Sequence, residues 1–126
     1  PHLFSSAASD VYKRQQFAKP MMSKLGNPTL FCHTLDIDDT GRIEGWNIRC
    51  EDHKRKTVEA LTKLNFKVIA SGDSYNDTSM LSSANAGILF KPPDNVIEEF
   101  PQFPVVNDFE GLMSAIESSA SDMGEL

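Results

Sequence analysis

Two short apolar runs with one helix-length segment between them constrain this chain more than anything else in it. Phe66 to Ala70 and Ala86 to Phe90 have the length of strands, and between them lie a loop, Gly72 to Asp77, and a short helical segment, Thr78 to Ala84. Pro92-Pro93-Asp94 then opens a helix through Val96, Ile97 and Phe100, and Pro104-Val105-Val106 reads as a further short strand. Strand and helix alternating in this way predict a parallel sheet wound with helices. In such sheets ligands lie beyond the carboxyl ends of the strands, so the loop after Ala70 is the first place to look for chemistry.

The flanking sequence fits the same class. Phe17, Met21 and Leu25 recur at helical spacing, with Pro20 tolerable near a helix start and Gly26 placed as a C-cap. Thr29 to Leu35 and Arg42 to Arg49 are strand-length runs across Asp38-Asp39-Thr40-Gly41, a hairpin signature. Asp52 can cap a helix that keeps Val58, Leu61 and Leu64 or Asn65 on one face. Near the end, Asn107 with Glu110 resembles a capping box ahead of the stripe Phe109, Leu112, Met113 and Ile116. The expected organisation is a leader over 1–15, a single domain over 16–117 and a frayed Ser-rich tail over 118–126. Asp10 to Gln15 back-translates to a sequence resembling a transposase end, so the leader reads as non-native or disordered and is left out of fold reasoning.

Charge narrows the function. A net charge of -6 argues against a nucleic-acid surface, which needs clustered positive charge, whereas a small anion masked by magnesium remains compatible. No run approaches the length of a membrane span and no signal-like segment is visible, so the expectation is a cytosolic chain without membrane or nucleic-acid partners. In that setting the two cysteines, Cys32 and Cys50, read as reduced thiols.

The loop reads Gly72-Asp73-Ser74-Tyr75-Asn76-Asp77, with an apolar strand before it and a helix after. Magnesium takes one or two carboxylates plus water and substrate phosphate, which suits Asp73 at the strand end, with Gly72 letting the backbone turn tightly. Asp77 returns to the same side and can hold a metal-bound water or orient Asp73, and Asn76 offers an amide donor toward a phosphate or a missing partner loop. The plainer alternative is an ordinary turn with Asp77 favouring a helix N-terminus. Upstream, Lys54 shares the face of Val58 and Leu61, whereas Lys56 aligns with Ala60 and Lys63. A lysine so placed can neutralise a phosphoryl oxygen and an attacking carboxylate together; the alternative is a solvated basic helix start.

Lys54 followed by Gly72-Asp73-x-x-Asn76-Asp77 resembles the third and fourth motifs of the haloacid-dehalogenase superfamily. From about Phe17 to Val106 the chain is similar to its phosphoserine phosphatase and phosphoserine:homoserine phosphotransferase branch. The stretches that carry this are Leu25 to Leu30, Cys32-His33, GDSYNDTSML from Gly72, AGILF from Ala86 and NVIEEFPQFP from Asn95. The resemblance implies an α/β fold: a partial Rossmann-like doubly wound parallel sheet with a β-hairpin, without the central nucleophile strand and the cap. It implies phosphoserine hydrolysis through an aspartyl-phosphate that water or homoserine receives, in serine and threonine biosynthesis, with homodimer formation left open. Asp73 would bind Mg2+, Asp77 would support it, and Lys54 and Asn76 would bind the phosphoryl group. The family's nucleophile motif, D-x-[DE], is absent ahead of Phe17. The expectation is therefore a chain inactive and poorly folded alone, with an unpaired sheet edge.

Asp36-Ile37-Asp38-Asp39-Thr40 imitates that motif, yet too few residues separate it from Asp73 to hold a phosphate motif and cap, so it reads as a turn. The same residues approximate a calcium loop, but Asn47 stands where a bidentate glutamate belongs. A calcium-binding module and a phosphatase for another small metabolite remain the alternatives. His33 and Trp46 are expected to pack within the hairpin.

Overall fold

The computed structural model describes residues 7–8 and 15–124, and the chain divides into two compact units, 1–53 and 54–126. In the first, β1 (Ala7–Ala8) pairs in parallel with β2 (Thr29–Leu30), and α1 (Gln15–Ser23) lies between them in sequence. Residues 1–6 and 9–14 of the expected leader fall outside the described residues. Pro20 sits inside α1 instead of near its start. The helix closes where Gly26 predicts, with Gly26 at φ +80 and Asn27 at φ +55 in the left-handed region. Of the stripe proposed for α1, Met21 and Leu25 are both exposed, and the Phe17 side chain lies outside the described residues.

The hairpin is present, with β3 (Thr34–Ile37) antiparallel to β4 (Ile43–Asn47) and a register shift between Asp36 and Ile37. The run expected as one strand from Thr29 is broken, because β2 pairs with β1 and only the residues from Thr34 pair with β4. Asp38 builds the turn: its Oδ1 accepts from Thr40 N at 2.8 Å, Thr40 Oγ1 at 2.7 Å and Arg42 N at 2.9 Å. Asp36 Oδ1 accepts from Asn47 Nδ2 at 2.7 Å across the strands. With these carboxylates engaged by the hairpin itself, the turn reading is favoured over a nucleophile or a calcium loop. His33 is buried, its ring meeting His53 edge-on at 4.3 Å between centroids, with Nδ1 accepting from Arg49 N at 3.2 Å. Trp46, in contrast, is 62% exposed, so its expected packing is corrected. Cys32 and Cys50 are not joined in a disulfide.

The second unit carries the parallel sheet. After α2 (His53–Lys63), the strands β5 (Ile69–Gly72), β6 (Ala86–Phe90) and β7 (Val105–Val106) lie side by side in that order, all parallel. Register places Ile69 opposite Ala86 and Gly72 opposite Leu89, so the loop after β5 emerges at the carboxyl end of the sheet, as expected. Ala70, Leu81, Leu89 and Val96 form the core on one face, joining the sheet to α3 (Thr78–Ser83) and α4 (Asp94–Glu99). Gly87 permits the close approach of α3, because a methyl group there would lie 2.8 Å from Leu81 O and 2.9 Å from Leu81 Cβ.

Alternation turns Phe90 to the opposite face, where its ring meets Phe109 of α5 (Phe109–Asp122) at 5.2 Å. Helices on both faces make this a doubly wound α/β sheet. The cap of α5 is Asp108, not Asn107, with Gly111 N donating to Asp108 Oδ1 at 2.6 Å. The tail expected to fray from Ser118 is helical to Asp122, with Ala120 buried; residues 125–126 lie outside the described residues. No helix among the described residues is long and apolar enough to cross a membrane.

Candidate active site

The site grows from the last residue of β5. Gly72 ends the strand, Asp73 follows at the carboxyl lip, and Tyr75–Asp77 form a single 3-10 turn that runs into α3. The tight turn proposed for Gly72 is not the reason for a glycine there, since its backbone is not left-handed. Space is the reason. The Asp77 side chain folds back over Gly72, and a methyl group at Gly72 would come within 2.6 Å of both Asp77 Cγ and Oδ2.

Every oxygen of that returned carboxylate is used. Oδ2 accepts from Asp73 N at 3.1 Å, Ser74 N at 3.2 Å and Ser74 Oγ at 3.0 Å. Oδ1 accepts from Lys54 Nζ at 2.6 Å. The pair is withdrawn from water, with side-chain exposures of 11% for Lys54 and 5% for Asp77. Burial pushes the Asp77 carboxyl up, but the Lys54 ammonium and the Ser74 donors outweigh it and hold the group below the usual carboxylate range. Asp77 is thereby kept ionised, and Lys54 is held as its counter-ion.

The four residues singled out from the sequence thus lie on one short segment and the helix that meets it. Lys54 takes the inward position assigned to it, while Lys56 and Lys63 are exposed. Lys54 and Asp73 are joined through one group, because Asp77 binds the ammonium of the first and the backbone N–H of the second. Of the two roles open to Asp77, holding a metal-bound water or orienting Asp73, its bonds to Asp73 N and Lys54 Nζ fit the second. The side chains of Asp73 and Asn76 are exposed, and neither has a hydrogen-bond partner among the described residues. A carboxylate so presented suits magnesium, which needs only one or two from the protein; among the described residues no cluster of three or more metal-binding side chains supplies a closed cage.

Two contributors escaped sequence reasoning. Ser74 is one, although the spacing Ser74-x-x-Asp77 is itself a capping-box signal that could have exposed it. The other is an aromatic brace: the Tyr75 ring meets Phe100 edge-on at 5.6 Å, and Phe100 lies against Phe103 at 6.2 Å. Thr78 Oγ1 also donates to Tyr75 O at 2.8 Å. A contact between residues so far apart in the chain leaves no mark in local spacing.

No family model matches the chain. It is 57% identical over 97 residues to the phosphoserine phosphatase ThrH of Pseudomonas aeruginosa, a match covering 77% of this chain and 47% of that protein. To a phosphoserine phosphatase of Pseudomonas syringae pv. tomato it is 54% identical over 97 residues, covering 77% of this chain and 41% of that protein. In fold it resembles a solved phosphoserine phosphatase described as a phospho-aspartyl intermediate analogue, with a TM-score of 0.65 at 23% identity over 86% of this chain and 55% of that one. The chain therefore spans about half the length of the curated relatives it matches. Over those 97 residues its sequence is similar to proteins named phosphoserine phosphatases, and its doubly wound sheet has the fold of solved phosphoserine phosphatases.

Proposed function

We propose that Lys54, Asp73, Asn76 and Asp77 form the metal-binding and phosphoryl-binding part of a phosphoserine phosphatase site that works through an aspartyl-phosphate. One observation carries this reading: a single buried carboxylate ties the Lys54 ammonium to the backbone of Asp73 at the carboxyl lip of the sheet. Asp73 would hold Mg2+, which when bound draws electron density from a phosphoryl oxygen. Lys54 would offset the negative charge that gathers between the phosphoryl group and an attacking carboxylate, and Asp77 keeps it aimed while it does so. Asn76 would donate an amide N–H to a phosphoryl oxygen. The attacking aspartate is not among these residues, so on this reading the chain alone does not turn over. Transfer to homoserine in place of water, in serine and threonine biosynthesis, belongs to the same proposal and rests on the motif resemblance of the sequence; a cytoplasmic setting is proposed with it.

Manganese tests the metal role on the chain itself, since a paramagnetic ion at Asp73 should broaden the amide resonances of residues 72–77 at substoichiometric dose. Asp73→Asn should remove that broadening while leaving the β6 amides unchanged. Undiminished broadening in the variant would reject Asp73 as the ligand. In a longer protein carrying this segment with its nucleophile, Asp73→Asn should abolish magnesium-dependent release of phosphate from phosphoserine.

A further inference from the structure

We infer that the Ser74 hydroxyl is a positioning residue that fixes the rotation of the Asp77 carboxylate and, through it, the Lys54 ammonium. Three donors converge on Asp77 Oδ2, and two of them, Asp73 N and Ser74 N, are backbone groups whose place follows from the strand-to-turn path. The third, Ser74 Oγ at 3.0 Å, is the one that a side chain supplies. Gly72 admits the carboxylate over the strand end but does not orient it, because its own contribution is empty space. Rotation about the Asp77 Cβ–Cγ bond is broad for a carboxylate unless bonding restricts it. With Oδ2 saturated by three donors, Oδ1 is left for Lys54 Nζ at 2.6 Å.

Loss of the hydroxyl leaves Oδ2 two longer contacts, at 3.1 Å and 3.2 Å, and lets the carboxylate turn. Lys54 then spends part of its time away from the lip. The consequence for catalysis rests on the phosphatase reading above, whereas the latch itself is a matter of geometry and is tested without turnover.

The test compares the chain with Ser74→Ala, Ser74→Gly and Ser74→Thr. Two rates are read by mass spectrometry and NMR: acylation of Lys54 by an amine-reactive ester, and hydrogen exchange at the Asp73 and Ser74 amides. Ser74→Ala and Ser74→Gly should raise both by roughly tenfold, the change expected from one charge-assisted hydrogen bond. Ser74→Thr, which keeps a hydroxyl, should stay near the parent values. Exchange at Leu89 in β6 monitors the fold; if Ser74→Ala alone loses that protection, the glycine variant, which the extended backbone at φ -131 accepts, decides. Parent-like rates in a folded variant lacking the hydroxyl would overturn the inference, as would threonine behaving like alanine. Failure of the manganese experiment with these rates changed as expected would reject the metal role and leave the latch standing.

Discussion

Asp77 shows what a buried charge demands of its neighbours. Replacing Lys54 by Met leaves the carboxylate withdrawn from water with its cation gone, and should lower stability by about 3 kcal/mol, the low end for breaking a buried pair, since three donors to Oδ2 remain. Urea denaturation of parent and variant measures it. The pH dependence follows from the direction of the shift. The Asp77 carboxyl titrates below the ordinary range when folded, so its stabilising contribution is complete above the unfolded value and is lost as pH falls through the folded one. The urea midpoint should drop between neutral pH and the acid side of the usual carboxylate range, and Asp77→Asn should flatten that drop; equal slopes would count against the assignment. Gly72→Ala has a different cause and a local signature. Its methyl group would overlap the Asp77 carboxylate, costing about 1–3 kcal/mol, and should raise Lys54 acylation together with the loss of stability.

At the scale of elements, the parts with a strong local signal were the legible ones. β6 is a continuous apolar run whose pattern predicts its observed bounds, and the strand–loop–helix order around Asp73 points to the carboxyl lip of the sheet. What local pattern could not supply was choice among partners. The run from Thr29 has the composition of one strand, yet its first part pairs with β1 and its later part with β4, a decision made by tertiary pairing. Periodicity placed Met21 and Leu25 on an apolar stripe, but periodicity marks a face and not whether anything covers it. The cap of α5 was misplaced by one residue because Asn107 and Asp108 are both good caps, and only the hydrogen bond from Gly111 separates them. Asp108→Ala should therefore cost about 1 kcal/mol and Asn107→Ala much less, as read from thermal unfolding of each variant.

Taken whole, the chain combines one well-determined sheet with an open flank. β5 pairs with β6 on one side, and among the described residues no strand pairs with its other side. Several large apolar side chains, Leu64 and Phe66 just before β5 among them, are exposed as well. A row of peptide donors and acceptors along Ile69–Gly72 that no described strand pairs on that side accepts any extended segment that reaches it, and each molecule that adds can present the same row again. In concentrated preparations loss of monomer should therefore be self-propagating, with a lag followed by acceleration in light scattering and not a steady decline. Ser71→Lys, which sets a charge on an exposed position of that margin, should lengthen the lag. A lengthened lag would mean that four residues at the rim of the sheet, and not the strength of its core, set the shelf life of this chain, whereas an unchanged lag would place the growth front elsewhere.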